Sequence, residues 1–366
     1  MITSSPLTLR RRRIPREHES PEWVRISAAS AIALGFRSGR FSREFFFGGI
    51  NLLLNYEDGC RSDCAYCGLA RTRPGDYEDK SFIRVEWPLV RTDDLVERMA
   101  VLEDKLTRLC ISMVTSAYAF DDTCEITRRI TERVRTPLSI LVAPPTLNRA
   151  KLERFRELGV DMVGIGLDAV TEQLFRSLRT DVPAGGAGLS WAKYWQVVDD
   201  ARDLFGPWKV NCHTVVGLGE RDSDLIDLFI RLVDRQIFPY LFCFNPEPDS
   251  RMGATPKTPI TRWRRIQLAK HLIEHEGFRR DDFSFDEDGN LLAVRAARRE
   301  ALVNAAREGL AFMTNGCPGE DGKPGCTRPY GSYRPTESFR DFPFQPTTGD
   351  LDQILRELDA ETLFVE

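Results

Sequence analysis

Three cysteines share one short loop of the sequence, in the stretch NYEDGCRSDCAYCGLARTR. Cys60, Cys64 and Cys67 have the spacing C-x3-C-x2-C. Structural zinc usually has four ligands, often as two C-x2-C pairs, and this stretch contains one such pair. A redox pair at Cys64 and Cys67 would be expected at the start of a helix in a smaller fold. Three thiolates also suit an iron–sulfur cluster that leaves one iron open to another ligand.

Two further cysteines, Cys317 and Cys326, lie in the stretch TNGCPGEDGKPGCTRPYGSYRP with the spacing C-x8-C. A loop rich in glycine and proline can direct backbone amides at sulfur, much as backbone nests hold anions, and so hold a second iron–sulfur cluster. A free or zinc-bound pair is the alternative. Two cysteines are too few for four irons, so a second cluster would need ligands from elsewhere in the chain.

The elements that must position these cysteines alternate between strands and helices from residue 49 onward. Six apolar stretches predict strands, and each is followed by an amphipathic stretch that predicts a helix: GINLLLNYE, RLCISMV, LSILVA, DMVGIGL, WKVNCHTVVGL and PYLFCFNPEP. Such a pattern is typical of a parallel sheet with helices outside, and six βα units favour an α/β fold that is a partial (β/α)6 barrel, similar to a TIM barrel. The first cysteine loop would then lie at the C-terminal mouth, where barrel enzymes have their active sites.

The same pattern divides the chain into three parts. Residues 1–45 are expected to form a tail and a short helix over PEWVRISAASAIALGF that ends near Gly35. Residues 46–277 would form the barrel, and residues 278–366 an extension with a turn at DEDGN and a helix over AVRAARREALVNAAREG. The cysteine-containing tail of this extension has few apolar residues of its own, so it should fold back onto the barrel and bring a second cluster near the mouth.

The composition is that of a soluble globular protein, with 42% hydrophobic and 29% charged residues among 366. A net charge of −4 gives no reason to expect nucleic acid or an anionic membrane as a partner. No apolar run approaches the roughly 18 residues of a membrane span, and the basic N-terminus lacks the apolar core of a signal peptide. We therefore expect a cytoplasmic protein, in which nine cysteines favour metal ligands or redox groups over disulfides.

Three other features have simple interpretations. The arginines from Arg10 to Arg13 are typical of a solvated tail, with contact to an acidic partner as the alternative. Cys124 lies in a predicted helix and Cys243 in an apolar strand, which is typical of small buried residues.

The triplet, with the aromatic Tyr66 before its last cysteine, resembles the signature of the radical S-adenosylmethionine enzymes. The resemblance implies that Cys60, Cys64 and Cys67 bind a [4Fe–4S] cluster whose fourth iron is chelated by S-adenosylmethionine. It also implies that one electron cleaves S-adenosylmethionine to a 5′-deoxyadenosyl radical, which abstracts hydrogen from carbon. Tyr66 is then expected to contact the cofactor.

Further positions resemble the S-adenosylmethionine contacts of this family. The segment VVGLGE, with Gly217 and Glu220, resembles the one that lies against the adenine, although Glu220 is equally typical of a solvated residue entering a helix. Asp168 in GIGLDAV resembles a polar position that binds the ribose or methionine part in biotin-synthase-like members, and a helix N-cap is its alternative role. The usual GGE after the second strand is replaced by SMVTSA, whose hydroxyl groups could contact the methionine amino group: Ser112, Thr115 or Ser116.

The second cluster can also be compared with the biotin-synthase-like branch. Cys110 in RLCISM resembles the first ligand of the second cluster in that branch, but the third strand has no cysteine. On the fifth strand the register favours Asn211 over Cys212 as the corresponding residue. Cys110 is therefore the first candidate to complete the ligands of the tail. Ser332 in GSYR is the second, because it resembles the serine of the serine-tyrosine pair that ends bacterial lipoyl synthases.

Over residues 45–340 the chain resembles a component of the two-component lipoyl synthases. This resemblance implies sulfur insertion into an octanoyl chain on a carrier protein, with the second cluster as the sulfur source. It also implies a second radical S-adenosylmethionine protein and an electron donor such as ferredoxin or flavodoxin as partners. Another biotin-synthase-like enzyme, acting on a small molecule by sulfur insertion, rearrangement or fragmentation, is the alternative. An iron–sulfur scaffold or sensor is less favoured, because it has no need of segments that bind S-adenosylmethionine.

Overall fold

The computed structural model describes residues 16–77, 80, 85–180, 189–359 and 363 of the chain. The arginine run from Arg10 to Arg13 lies outside the described residues, so its two interpretations stay predictions. Within the described ranges, the helices are too short or too polar for any of them to cross a bilayer.

The strands are β1 (Trp23–Ile26), β2 (Gly49–Leu54), β3 (Asp63–Cys64), β4 (Leu89–Arg91), β5 (Arg108–Ser112), β6 (Leu138–Val142), β7 (Met162–Asp168), β8 (Arg179–Thr180), β9 (Val210–Val216), β10 (Phe238–Cys243), β11 (Phe283–Phe285) and β12 (Leu291–Val294). The α-helices are α1 (Ala28–Ala33), α2 (Thr92–Val101), α3 (Ala119–Thr131), α4 (Arg149–Glu157), α5 (Glu172–Leu178), α6 (Trp191–Phe205), α7 (Asp222–Asp234), α8 (Ile260–His275), α9 (Arg299–Glu308) and α10 (Thr348–Leu358).

The main sheet confirms the predicted fold class. Its strand order is β10-β9-β7-β6-β5-β2-β1-β4, and the six predicted strands β2, β5, β6, β7, β9 and β10 are all parallel. Consecutive parallel strands are joined by helices, as βα units require. No pairing joins β10 to β2 within the described part of the chain, so the six units form an open, partial barrel.

The N-terminal prediction was wrong in part, because the segment predicted as one helix begins as strand β1. Val24 and Ile26 are fully buried, and β1 pairs antiparallel with both β2 and β4. Between them, the buried guanidinium of Arg25 donates to the carbonyl oxygens of Trp87 and Lys80, each at 3.0 Å. The helix that follows, α1, ends close to Gly35 as expected, and Gly35 has a positive φ of 76°.

The extension differs from the prediction in the start of one helix and in the presence of another. Strands β11 and β12 form an antiparallel hairpin around the predicted DEDGN turn, so the first residues of the predicted helix belong to β12. A 3-10 turn over Ala296–Arg298 then leads into α9, and α10 was not predicted. Gly309 ends α9 in the left-handed conformation, with φ 77°.

A hairpin in the C-terminal tail enters the barrel from the end where the strands begin. We call residues 317–326 the tail hairpin; its backbone closes through a bridge between Pro318 and Pro324 and a 2.9 Å hydrogen bond from Gly325 N to Cys317 O. The Cα atom of Cys326 lies 3.0 Å from the point where a Cβ on Gly49, the first residue of β2, would lie. The prediction that the tail cysteines lie near the mouth was therefore wrong.

Arg108, the first residue of β5, fastens the tail hairpin to the barrel. Its guanidinium is 1% exposed, donates from Nε to the carbonyl oxygen of Pro318 at 2.8 Å and forms an ion pair with Asp161. The neighbouring Thr107 hydroxyl donates to the carbonyl oxygen of Gly325 at 2.6 Å. These contacts explain the docking of a segment with few apolar side chains.

Replacing Arg108 with methionine should lower the free energy of unfolding by about 2–3 kcal/mol, because it leaves the Pro318 carbonyl oxygen without its donor and the Asp161 carboxylate without its buried partner. Urea denaturation of the anaerobically purified protein measures the change. Lys209→Met is the matched control, because Lys209 lies 3.6 Å from the same Asp161 but is half exposed, and it should cost less than about 0.5 kcal/mol. Equal losses in the two variants would contradict this role of Arg108.

Candidate active site

The first cysteine loop leaves the end of β2 and is held by contacts with two other parts of the chain. Its short strand β3 pairs antiparallel with β8, so that Cys64 lies opposite Arg179. Thr115, from the loop after β5, accepts hydrogen bonds from Arg61 N at 2.9 Å and from the Ser62 hydroxyl at 2.8 Å. These contacts hold the loop at the C-terminal mouth of the barrel, as predicted.

The three loop thiols lie close together in a setting that disfavours free thiolates. Burial raises the pKa of Cys64 to about 11, although the Arg179 guanidinium works in the opposite direction. Burial also raises the pKa of Cys67 well above its usual range, and Cys64 and Cys60 add to this effect. Such thiols become thiolates when a metal cation replaces the proton. The donor set therefore fits iron.

Tyr66, Asp168 and Arg179 form a buried network beside the loop. Arg179 forms an ion pair with Asp168 and donates to the Tyr66 hydroxyl at 2.7 Å and to the carbonyl oxygen of Gly166 at 2.8 Å. The Tyr66 hydroxyl donates in turn to Asp168. Asp168 is the last residue of β7 and has a positive φ of 59°, whereas Thr171 caps α5, so the alternative of an N-cap role for Asp168 was wrong.

Arg179 is a site residue that was not predicted from the sequence. Its guanidinium carbon lies 4.7 Å from the ring centre of Phe175 and 4.8 Å from that of Tyr194. These cation–π interactions offset part of the free-energy cost of burying the charge. No motif marks this arginine in the sequence. Only the antiparallel pairing of β3 with β8 brings it to the cysteine loop.

A cavity of about 200 Å³ opens beside the network and extends into the barrel. Its wall includes four of the predicted site residues: Cys64, Tyr66, Cys67 and Asp168. Its other lining residues are Gly68, Leu141, Gly166, His213, Val215, Phe242, Cys243, Phe244, Asn245, Glu247, Arg328 and Gly331. The triplet loop therefore faces a space large enough for a small ligand.

Arg328 and His213 are two of the polar groups in the cavity wall. Arg328, which follows the tail hairpin, lies with its guanidinium carbon 4.7 Å from the ring centre of Phe242. Burial lowers the pKa of His213 to about 3, and the Arg328 charge acts in the same direction. The imidazole is therefore neutral at physiological pH, and most of the remaining wall is apolar.

The glycine segment after β9 is shaped by Glu220. Its carboxylate accepts hydrogen bonds from the backbone nitrogens of Gly217 and Leu218, both at 2.8 Å, and from Arg262 at 2.7 Å. Gly217 has a φ of 110°, and a Cβ there would lie 2.2 Å from the hydroxyl oxygen of Thr258. Glu220 is buried, so the interpretation as a solvated residue was wrong. Neither Gly217 nor Glu220 belongs to the cavity wall, and their contact with the cofactor stays a prediction.

The hydroxyl residues after β5 also lie outside the cavity wall. Ser112 is buried at the end of β5, and Thr115 supports the cysteine loop as described above. The Ser116 hydroxyl accepts a hydrogen bond from Tyr118 N at 3.3 Å. These contacts explain local structure, and a contact with the methionine amino group stays a prediction for all three residues.

A second group of thiols occupies the middle of the barrel. Cys110 is the register partner of Asn51 on β2 and of Ser139 on β6. The tail hairpin adds Cys326, whose Sγ lies 3.5 Å from the Asn51 Nδ2, and Cys317. Burial raises the pKa of Cys317 to about 12, with further contributions from Cys110 and Cys326, which requires that the three thiols lie near one another.

The surroundings of this group have room for more than three thiols. Cys110 keeps part of its surface accessible although it lies inside the barrel, so there is space beside it. The side-chain oxygens of Asn51 and Asn211 are buried and have no hydrogen-bond partner among the described residues. Three thiols with orphaned polar atoms around them fit an iron–sulfur cluster.

Of the remaining predicted positions, one lies at the second thiol group and the others do not. Asn211 faces the second thiol group, with its Nδ2 3.5 Å from the Sγ of Cys317, whereas Cys212 is fully buried with Arg231 of α7 as its charged neighbour. The Ser332 hydroxyl accepts a hydrogen bond from Cys243 N at 3.1 Å, a contact at the end of β10 and not at the thiols. Cys243 is buried as expected, and Cys124 in α3 is only partly buried.

Neither thiol group has the geometry of a single-ion site. Within the described ranges, no three side chains of histidine, cysteine, aspartate or glutamate are placed to hold one metal ion.

The fold and the site together are a six-unit α/β barrel with three thiols at its mouth. Residues 54–232 match the family model described as the Radical SAM superfamily. The chain therefore contains a radical SAM domain, which indicates an enzyme that uses a [4Fe–4S] cluster and S-adenosylmethionine. No curated protein matches the chain.

Solved structures of radical SAM enzymes resemble the chain at low identity. Methylornithine synthase (PylB) has 13% identity and a TM-score of 0.46, over 67% of this chain and 66% of its own. HydG, a maturase of the [FeFe]-hydrogenase, has 11% identity and a TM-score of 0.45, over 62% of this chain and 50% of its own. The methyltransferase TsrM from Kitasatospora setae has 16% identity and a TM-score of 0.38, over 58% of this chain and 39% of its own. The chain thus spans less than two thirds of each of these proteins, and similarity at this level does not define its reaction.

Glu220→Gln should raise the Kd for S-adenosylmethionine about five- to tenfold, which corresponds to a loss of about 1–1.4 kcal/mol in binding free energy. The reason is that an amide cannot accept hydrogen bonds from both backbone nitrogens of the glycine segment. Equilibrium binding to the reconstituted protein measures the change. Arg221→Gln, which changes an exposed neighbour, should leave the Kd unaltered. An unaltered Kd in Glu220→Gln would mean that the turn does not contribute to cofactor binding.

Proposed function

We propose that the chain is a sulfur-inserting radical SAM enzyme, a lipoyl synthase component that places sulfur on an octanoyl chain attached to a carrier protein. The observation that carries this proposal is the pair of thiol groups, one at the mouth and one inside the barrel, with a largely apolar cavity extending inward from the first. Arg328 joins the two regions, because it lines the cavity and its charge also acts on Cys110.

Cys60, Cys64 and Cys67 are proposed to hold the [4Fe–4S] cluster that binds S-adenosylmethionine. When bound, this pair supplies a carbon-centred radical that removes hydrogen from an unactivated carbon. Tyr66 and Asp168 line the same cavity and are proposed to orient the cofactor there. The ion pair of Asp168 with Arg179 supports this role, because it holds the carboxylate in one position.

Cys110, Cys317 and Cys326 are proposed to hold a second cluster, which serves as the sulfur source. Their burial inside the barrel supports this role, because a cluster that donates sulfur to a carbon radical must be shielded from water and from other thiols.

The cavity wall supports an alkyl chain as the substrate. Leu141, Val215, Phe242 and Phe244 provide apolar surface, and His213 is neutral. An octanoyl-lysine arm on a carrier protein presents such a chain. The carrier protein, a second radical SAM protein and an electron donor such as ferredoxin or flavodoxin are the proposed partners.

One observation favours a second candidate function. Glu247 and Arg328 bring opposite charges to the wall of a cavity of about 200 Å³, which would suit a small charged molecule. The alternative is therefore another biotin-synthase-like enzyme that inserts sulfur into a small molecule or rearranges it.

The proposed reaction can be tested with an octanoyl-lysine peptide, S-adenosylmethionine and a reductant, with and without candidate partner proteins. We expect thiolated peptide and 5′-deoxyadenosine, measured by mass spectrometry. The Cys317→Ala/Cys326→Ala variant should still form 5′-deoxyadenosine but no thiolated peptide. Formation of 5′-deoxyadenosine by the unmodified chain with every partner, but without thiolated peptide, would favour the small-molecule alternative.

Iron and sulfide analysis tests the second cluster directly. The anaerobic protein should contain more iron than the roughly four atoms of one [4Fe–4S] cluster, and Cys317→Ala/Cys326→Ala should contain about four, because the second cluster depends on its cysteine ligands. Cys124→Ala/Cys212→Ala is the matched control, since it also removes two thiols but neither faces the barrel interior. An unchanged iron content in Cys317→Ala/Cys326→Ala would refute the second site.

A further inference from the structure

We propose that Asn51 and Asn211 are positioning residues for the second cluster, whose amide groups donate hydrogen bonds to the sulfurs of Cys326 and Cys317. The proposal rests on the second cluster of the proposed function and assigns two residues outside its ligand set. Their expected effects are on the retention of the cluster and on its reduction potential.

The two amides approach the tail thiols from different strands. Asn51 on β2 lies with Nδ2 3.5 Å from the Sγ of Cys326, and Asn211 on β9 lies with Nδ2 3.5 Å from the Sγ of Cys317. Both distances are within the range of hydrogen bonds to sulfur. Each tail cysteine thus has its own amide donor, supplied by the barrel rather than by the hairpin.

Neither asparagine is explained by packing. Asn51 is 2% exposed and Asn211 is 1% exposed, in a barrel interior that branched apolar residues usually fill. The Oδ1 atom of each amide is buried without a hydrogen-bond partner among the described residues. An orphaned buried carbonyl oxygen costs about 1–3 kcal/mol, which an apolar side chain of the same size would avoid.

The barrel also makes room for one of these amides. A Cβ on Gly164, the register partner of Asn211 on β7, would lie 2.7 Å from the Asn211 Oδ1. Glycine inside a strand weakens the sheet, so its presence here indicates close approach by a neighbouring group. The space beside β7 is therefore occupied by the Asn211 amide instead of a side chain from β7.

Hydrogen bonds to the sulfurs of an iron–sulfur cluster stabilise its more negative, reduced state and orient its ligands. Asn51 and Asn211 can do this without adding charge. Removal of either donor should therefore lower the reduction potential of the second cluster by about 59 mV. For a one-electron couple this corresponds to a tenfold smaller equilibrium constant for reduction. It should also speed the loss of iron during anaerobic gel filtration.

The experiment uses the full-length chain with Cys60→Ala, Cys64→Ala and Cys67→Ala, so that spectroscopic signals come from the second cluster alone. Asn51→Leu and Asn211→Leu remove the donors at similar side-chain volume. Thr214→Val is the matched control, because it removes a buried polar group from β9 at a position that alternation turns away from the barrel interior. Redox titration monitored by electron paramagnetic resonance gives the potential, iron analysis gives retention, and circular dichroism reports the fold.

The proposal expects the tenfold shift and faster iron loss in both asparagine variants and neither effect in Thr214→Val. A second cluster with unchanged potential and retention in both variants would overturn it. If the leucine variants do not fold, Asn51→Ala and Asn211→Ala replace them; loss of the fold there as well would assign the amides to barrel folding and also overturn the proposal. Absence of any cluster in the triple-cysteine background would instead refute the second site of the proposed function.

Discussion

Docking of the tail hairpin into the beginning of the barrel is the interaction on which the rest of the interior depends. The hairpin has little apolar surface, so hydrogen bonds from Arg108 and Thr107 to its carbonyl oxygens must hold it. Once docked, it places Cys317 and Cys326 near Cys110 and brings their sulfurs within 3.5 Å of the Asn211 and Asn51 amides. These buried amides would be costly to bury without a partner, and the hairpin thiols supply one for each Nδ2 group.

At the mouth of the barrel, another buried arginine likewise holds a segment of the chain in place through its hydrogen bonds. Arg179 is buried and joins the cysteine loop, through Tyr66, to Asp168 at the end of β7. A single buried guanidinium can satisfy several acceptors at once in a fixed geometry, which makes it suited to fasten a loop to a strand end. Both thiol groups are thus held by residues that are distant from them in the sequence.

The cavity that extends inward from the mouth is largely apolar, and its His213 is neutral because burial lowers the pKa of the imidazole. The parallel strands hold the side chains of its wall at fixed positions. Glu220 also holds the glycine segment after β9 in place, because its carboxylate accepts two backbone hydrogen bonds from that segment.

The triplet of cysteines, the six βα units and the second cysteine pair could be predicted from the sequence, because spacing and apolar periodicity are local properties. Strand register also favoured Asn211 over Cys212, and Asn211 does face the second thiol group. The position of the second pair inside the barrel, and not at its mouth, could not be predicted and is known only from the fold. The tertiary structure also decided that the N-terminal segment begins as β1 and that Arg108, Arg179 and Glu220 hold the site together. These outcomes depend on strand order, on register and on contacts between distant residues, and no local pattern carries that information.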